Sequence, residues 1–91
     1  MSKYPKISIV TVCLNAAKYI GDNITSVKNQ DYPNIEHIFI DGLSNDNTVS
    51  IIKNMVGKNH KLISEPDLGI YNALNKGIEL ASGKYLIFLN S

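Results

Sequence analysis

Asp41 is a residue whose type and place could do chemistry. It closes the apolar run "IEHIFID" and precedes "GLSNDNT", a stretch of turn formers and capping residues. A carboxylate at the carboxyl end of a strand in an α/β sheet can accept a hydrogen bond from a ribose hydroxyl or a base N–H. It can equally accept backbone N–H groups and cap the loop or helix that follows. On the residue alone both readings stay open. The stretch after the first apolar run, "NAAKYIG", carries neither G-x-G-x-x-G nor G-x-x-x-x-G-K-[ST], which argues against a dinucleotide dehydrogenase and a P-loop nucleotidase. A diphosphate here would need another neutraliser, and a divalent cation held by carboxylates is the usual one.

Other chemistry-bearing residues read as structural. Cys13 is the single cysteine, which rules out an internal disulfide and a multi-cysteine metal site; inside an apolar strand it reads as a small buried hydrophobe. His37 lies within a strand and His60 before one, and neither has a ligand-spaced partner.

The elements that must position Asp41 follow from periodicity. "ISIVTVCL" (Ile7 to Leu14) is apolar almost without alternation, the pattern of a strand covered on both faces. Asn15 then stands as N-cap before a helix marked by Ala17, Ile20, Ile24 and Val27. "DYPN" is a turn, and Ile35 to Asp41 is the second strand. Val49, Ile52 and Val56 mark a second helix, with Gly57 as its left-handed C-cap. Lys61 to Ser64 is a short third strand. Ile70, Leu74, Ile78 and Ala81 mark a third helix, closed at Ser82 and Gly83, and "KYLIFLN" is a fourth strand read as buried on both faces.

The order β-α-β-α-β-α-β selects a parallel sheet with helices on its faces and right-handed crossovers. The expected strand order is 3-2-1-4, half of a doubly wound fold, with a ligand site outside the strand carboxyl ends at the switch between strands 1 and 4. Ninety-one residues allow one core. Nine Lys/Arg against eight Asp/Glu give a net charge of +1, which argues against a nucleic-acid partner. No apolar run reaches the roughly 18 residues of a membrane span, and no signal-peptide pattern opens the chain. The expectation is a soluble, cytoplasmic protein, or one seated peripherally at the inner face of a membrane.

Several spaced motifs carry a resemblance. "SIVTVCLNAAKYIGDNITSVKNQDYPNIEHIFIDGLSNDNT" and "SEPDLGIYNALNKGIELASGKYLIFLNS" resemble the amino-terminal half of a family 2 glycosyltransferase of GT-A fold. The resemblance covers the chain from Ile7 onward and implies a Rossmann-like three-layer α/β sandwich, here an incomplete GT-A domain of residues 1–91 that is the N-terminal nucleotide-binding portion. It implies transfer of a sugar from a nucleotide-diphosphate donor, commonly a UDP-sugar, to a glycan or lipid-linked acceptor in polysaccharide or cell-envelope assembly. By the resemblance, Asp41 is the acid that meets the uracil ring, Val12, Cys13 and Asn15 form the segment against the nucleoside, and Asp67 faces the base and ribose. Ser44 and Asp46 fall in the loop motif, where Asp46 orders the turn. Leu74 stands where many members carry Arg, so Lys76 is the nearby basic candidate for phosphate, against a solvated helix charge. Tyr71 could stack on a base or simply pack.

The resemblance also implies an Asp-x-Asp or Asp-Asp pair directly after the fourth strand, holding Mn2+ or Mg2+ against the diphosphate. That pair and any general base would lie beyond Ser91. The expectations are that these residues alone bind nucleotide weakly, hold no metal and transfer no sugar, and that the fourth strand self-associates through an exposed edge or the adjacent helix face. The competing class, a flavodoxin-like phosphoacceptor module, wants acids at the end of strand 1, where Leu14 and Asn15 stand instead.

Overall fold

A computed structural model describes residues 3–90; Met1, Ser2 and Ser91, the last of them part of the passage that carries the resemblance, lie outside it. The elements are β1 (Ile7–Cys13), α1 (Ile20–Lys28), β2 (Ile35–Asp41), α2 (Thr48–Met55), β3 (His60–Ser64), α3 (Ile70–Leu80) and β4 (Tyr85–Phe88). All pairings are parallel, as the alternation of elements implies, and the sheet order is the expected β3-β2-β1-β4.

Alternation along the central strands sorts the core into two halves. Cys13 and Phe39 pack with Ile20 and Ile24 of α1 and Ile52 of α2 on one face. Val10, Ile38 and Ile40 pack with Ala73 of α3 on the other. This is the three-layer arrangement. Gly77 of α3 sits so near β1 that an added Cβ would lie 2.5 Å from Val10 Cγ1, so the helix rests on the sheet through a residue with no side chain.

Three sequence expectations about helix ends are corrected. Asn15 is not the N-cap of α1: it adopts a left-handed backbone, φ 50°, and a turn through Ala17–Tyr19 delays the helix to Ile20. Asn tolerates that conformation, so the residue type fits a sharp turn as well as a cap. Gly57 is not a left-handed C-cap, because α2 ends at Met55 and Val56 is already extended. Gly83 does not close α3 either, since the chain turns extended at Ala81. A Cβ on Gly83 would stand 2.6 Å from Ser8 Oγ and 2.8 Å from both Lys6 O and Ser8 N, so Gly83 is needed for close approach of two backbones.

The apolar run of β4 has the pattern of a strand covered on both faces, but in this chain it is the exposed edge that was also expected: among the described strands it pairs with β1 alone, and its four residues are between 37% and 54% exposed. An apolar run reports what a strand could bury; a covering element is a separate requirement. At the amino end of the sheet, the buried Glu36 carboxylate accepts the Ser8 hydroxyl (2.5 Å), the Ser82 N–H (2.7 Å) and the Ser82 hydroxyl (2.9 Å), with Lys61 Nζ at 3.2 Å. Burial raises its pKa, but the hydrogen bonds from Ser8 and Ser82 and the Lys61 contact outweigh burial and hold it at about 2. This latch fixes the corner between α3 and β4.

Among the described residues no helix is long and apolar enough to cross a membrane.

Candidate nucleotide site

The carboxyl ends of three strands stand in register: Cys13 of β1 beside Asp41 of β2, and Asp41 beside Ser64 of β3. Parity decides where their side chains go. Asp41 shares the face of Cys13 and Phe39, toward α1 and α2, and its carboxylate is fully buried. Its Oδ2 accepts the Ser44 N–H at 2.9 Å and the Ser64 hydroxyl at 2.7 Å. Its Oδ1 accepts a short hydrogen bond from the Ser44 hydroxyl, with Cys13 Sγ at 3.6 Å. A carboxylate so engaged organises the loop after β2.

The loops after β1 and β2 are stitched together at the same level. The Asn15 N–H donates to Ser44 Oγ at 2.8 Å, and Asn15 Oδ1 accepts the Asn45 N–H at 2.7 Å. Ala16 N–H donates to Thr48 Oγ1 at 2.8 Å and Ala17 N–H to Asp46 Oδ2 at 3.1 Å. Asp46 Oδ1 accepts the hydroxyl and N–H of Thr48, which opens α2, at 2.5 and 3.0 Å. The Thr48 hydroxyl, with those backbone bonds, holds the Asp46 carboxyl below the usual carboxylate range. Asp46 therefore orders the turn, the role its place in the loop motif implied.

On the other side of the strand ends, toward α3, a cavity of about 290 Å³ opens. Val12, Leu14, Gly42, Asp67, Ile70 and Ala73 line it, with Cys13 at its edge and Gly69 at its lip. Gly69 has φ 114°, a backbone that favours glycine, and it turns the chain from the loop after β3 into α3. Asp67 Oδ2 lies 3.0 Å from where a Cβ on Gly42 would stand, so a larger residue at 42 would press on that carboxylate. Burial and the Asp41 carboxylate push the Cys13 thiol up to about 12, leaving it protonated and no nucleophile at neutral pH.

The candidate residues thus divide. Val12, Cys13 and Asp67 line the cavity. Asn15, Asp41 and Ser44 do not line it; they form the hydrogen-bonded network that joins the loops after β1 and β2. Lys76, the basic candidate, is held by the loop before α3: its Nζ lies 2.8 Å from Asp67 Oδ1 and 3.0 Å from Glu65 Oε1, and it donates to Pro66 O at 3.2 Å. Sequence reading missed Leu14, Gly42, Gly69, Ile70 and Ala73 as lining residues. The Asp-Gly pair and the glycine directly before a helix were the available signals.

The sequence profile of Glycosyl transferase family 2 matches residues 8–91. The chain belongs to this family. An uncharacterized glycosyltransferase of Haemophilus influenzae is 42% identical over 90 residues, covering 96% of this chain and 36% of that protein. The putative teichuronic acid biosynthesis glycosyltransferase TuaG of Bacillus subtilis is 36% identical over 90 residues, with the same shares covered. This family 2 chain therefore spans about a third of the length of such relatives.

Solved structures share the fold. The mannosyltransferase PcManGT of Pyrobaculum calidifontis, in complex with GDP-Man and Mn2+, superposes with a TM-score of 0.86 at 22% identity over 98% of this chain and 28% of its own. TarS residues 1–349 of S. aureus, in complex with UDP-GlcNAc, give 0.79 at 24% identity over 93% of this chain and 26% of their own. The residues described for the family 2 chain do not themselves fit a divalent cation. No group of three or more His, Cys, Asp or Glu converges among them, Asp41 is committed to its loop, and Asp67 to Lys76.

Proposed function

We propose that this chain is the N-terminal nucleotide-binding portion of a glycosyltransferase that moves a sugar from a UDP-sugar to a glycan or lipid-linked acceptor in cell-envelope polysaccharide assembly. The observation that carries the reading is the cavity at the carboxyl ends of β1 and β2, apolar on its walls and bearing one carboxylate, Asp67. An apolar slot with a single hydrogen-bond acceptor suits a flat base with an N–H edge. The UDP-GlcNAc complex of TarS and the teichuronic acid name of TuaG support the donor and the pathway class.

In this reading Val12, Cys13 and Asp67 meet the nucleoside, while Asn15, Asp41 and Ser44 join the loops after β1 and β2 and Lys76 fixes Asp67. Metal-binding acids for Mg2+ or Mn2+, the acceptor site and any general base belong to the length of the relatives that this chain does not span. These residues alone then bind nucleotide weakly and transfer no sugar. The open β4 edge, with no charge between Tyr85 and Phe88, pairs with a second copy when no other segment covers it. Replacing Ile87 by Lys would lower the mass seen by light scattering at high concentration; a wild-type chain that stays monomeric there sinks the pairing.

Calorimetric titration with UDP tests the seat. Asp67→Asn should weaken binding by about tenfold, the loss of one charged hydrogen bond. Absence of binding to the wild-type chain, or equal binding by the variant, overturns it.

A further inference from the structure

The net charge of +1 conceals a sorting of charge along the strands. All four strands run one way and each helix returns the chain, so the starts of the strands and the last turns of the helices share one end of the molecule. That end carries Lys3, Lys6, Lys28, Lys53, Lys58 and Lys84 against two carboxylates, Asp31 and Glu79, with Lys61 and Glu36 paired to each other. The opposite end, where the nucleotide cavity opens, carries Asp22, Asp41, Asp46, Glu65 and Asp67 against Lys18 and Lys76. A nearly neutral chain thus has one basic end and one acidic end.

Helix dipoles account for part of this. Lys28 and Lys53 stand in the last turns of α1 and α2, where a cation complements the helix terminus. Lys3, Lys6, Lys58 and Lys84 lie outside any helix, so that account does not reach them. The helix termini at this end carry roughly half a negative charge each, too little to offset the surplus of lysines over carboxylates. The basic groups also converge. Lys6, Lys58 and Lys61 line one cavity of about 260 Å³, and Lys28 and Lys58 line another of about 250 Å³, with His60 in both. Tyrosines accompany them: Tyr4 is 42% and Tyr85 54% exposed, and the ammonium groups of Lys3 and Lys84 each lie 5.7 Å from the adjoining ring centroid.

We propose that the amino end of the sheet docks on a membrane surface of anionic lipid. Lysine beside tyrosine suits a headgroup layer, where the ring sits at the interface while the ammonium reaches a phosphate. A planar anionic surface attracts this end and repels the other, so docking turns the cavity toward water. Nucleic acid fits less well, because each of these exposed rings already has an ammonium over a face on which a base would stack. Docking of this kind does not depend on what the cavity binds.

Sedimentation with vesicles tests it, using the 91-residue chain and equal charge losses at opposite ends. The wild-type chain should partition onto vesicles containing phosphatidylglycerol, leave them as salt is raised, and ignore vesicles of phosphatidylcholine alone. Lys58→Gln and Lys28→Gln should each weaken partition by about fivefold, the worth of one lysine near such a surface, while Lys18→Gln should leave it within about twofold. All three side chains are exposed and none forms an ion pair among the described residues, so the melting midpoints should match wild type. No partition of the wild-type chain, partition that salt does not weaken, or an equal loss from Lys18→Gln overturns the proposal. Binding to single-stranded RNA without partition onto the vesicles assigns the basic end to nucleic acid and equally overturns it.

Discussion

Lys76 Nζ lies 2.8 Å from Asp67 Oδ1 and 3.0 Å from Glu65 Oε1, so one ammonium from α3 closes the loop that follows β3. The hydrogen bond to Asp67 raises the Lys76 pKa, so the ion pair persists through neutral pH. Lys76→Met frees Asp67 to turn toward water, and UDP binding should weaken by about fivefold with little change in thermal midpoint. Titration calorimetry beside a melting curve checks both halves. An affinity that rises in the variant would mean Lys76 competes with the ligand for Asp67.

Asp41 predicts a different signature. Asp41→Ala removes the acceptor for the Ser44 N–H, the Ser44 hydroxyl and the Ser64 hydroxyl together. Leaving such donors unpaired in a buried place costs on the order of 3 kcal/mol, so the urea midpoint should fall and nucleotide binding fall with it. Lost binding at an unchanged midpoint would instead make Asp41 a direct contact.

Stability should decline in two steps on the acid side. Burial, with His60 nearby, lowers His37 from 6.5 to about 4, so the fold favours the neutral ring. That contribution is complete above pH 6.5 and is lost as pH falls toward 4, on the order of 3 kcal/mol in total. Glu36, lowered from 4.5 to about 2, adds stability present above pH 4.5 and lost as pH falls toward 2. Urea unfolding of the wild type and His37→Gln at pH 7, 5, 4 and 2.5 separates them: the variant should flatten the first step and keep the second.

Gly83→Ala tests the corner latch. The new methyl would meet two backbone atoms of the β1 entry, Lys6 O and Ser8 N, each at 2.8 Å, and neither can rotate aside. A loss of about 2 kcal/mol is expected, with the largest rise in amide exchange on β4. A midpoint equal to wild type would show that the corner can relax.

The order of elements and the sheet topology were legible because alternating apolar runs and helical spacings leave few ways to wind a parallel sheet. Asp41 could be singled out from its place at a strand end, but not its saturation, which depends on Ser64 arriving from another strand. Lys76 looked solvated on its own helix; its partners come from the loop before α3, brought back by the left-handed turn at Gly69. Asn15 misled because one residue type serves both a helix cap and a left-handed turn. The apolar run of β4 suggested cover on both faces while its place at the edge suggested exposure, and the edge decided, because hydrophobicity is a property of the residues and cover is a property of their neighbours.

The Glu36 latch bears on how the chain assembles. Ser8 meets Glu36 across 28 residues and Gly83 across 75, so the central strand gains its two flanks at very unequal chain separations. Closing the longer loop costs more entropy, and it brings β4 to a sheet that β1, β2 and β3 can already form. Glu36 then sits in place as a receptor for the incoming corner, and Ser82 docks on it like a key that admits the last strand in only one register.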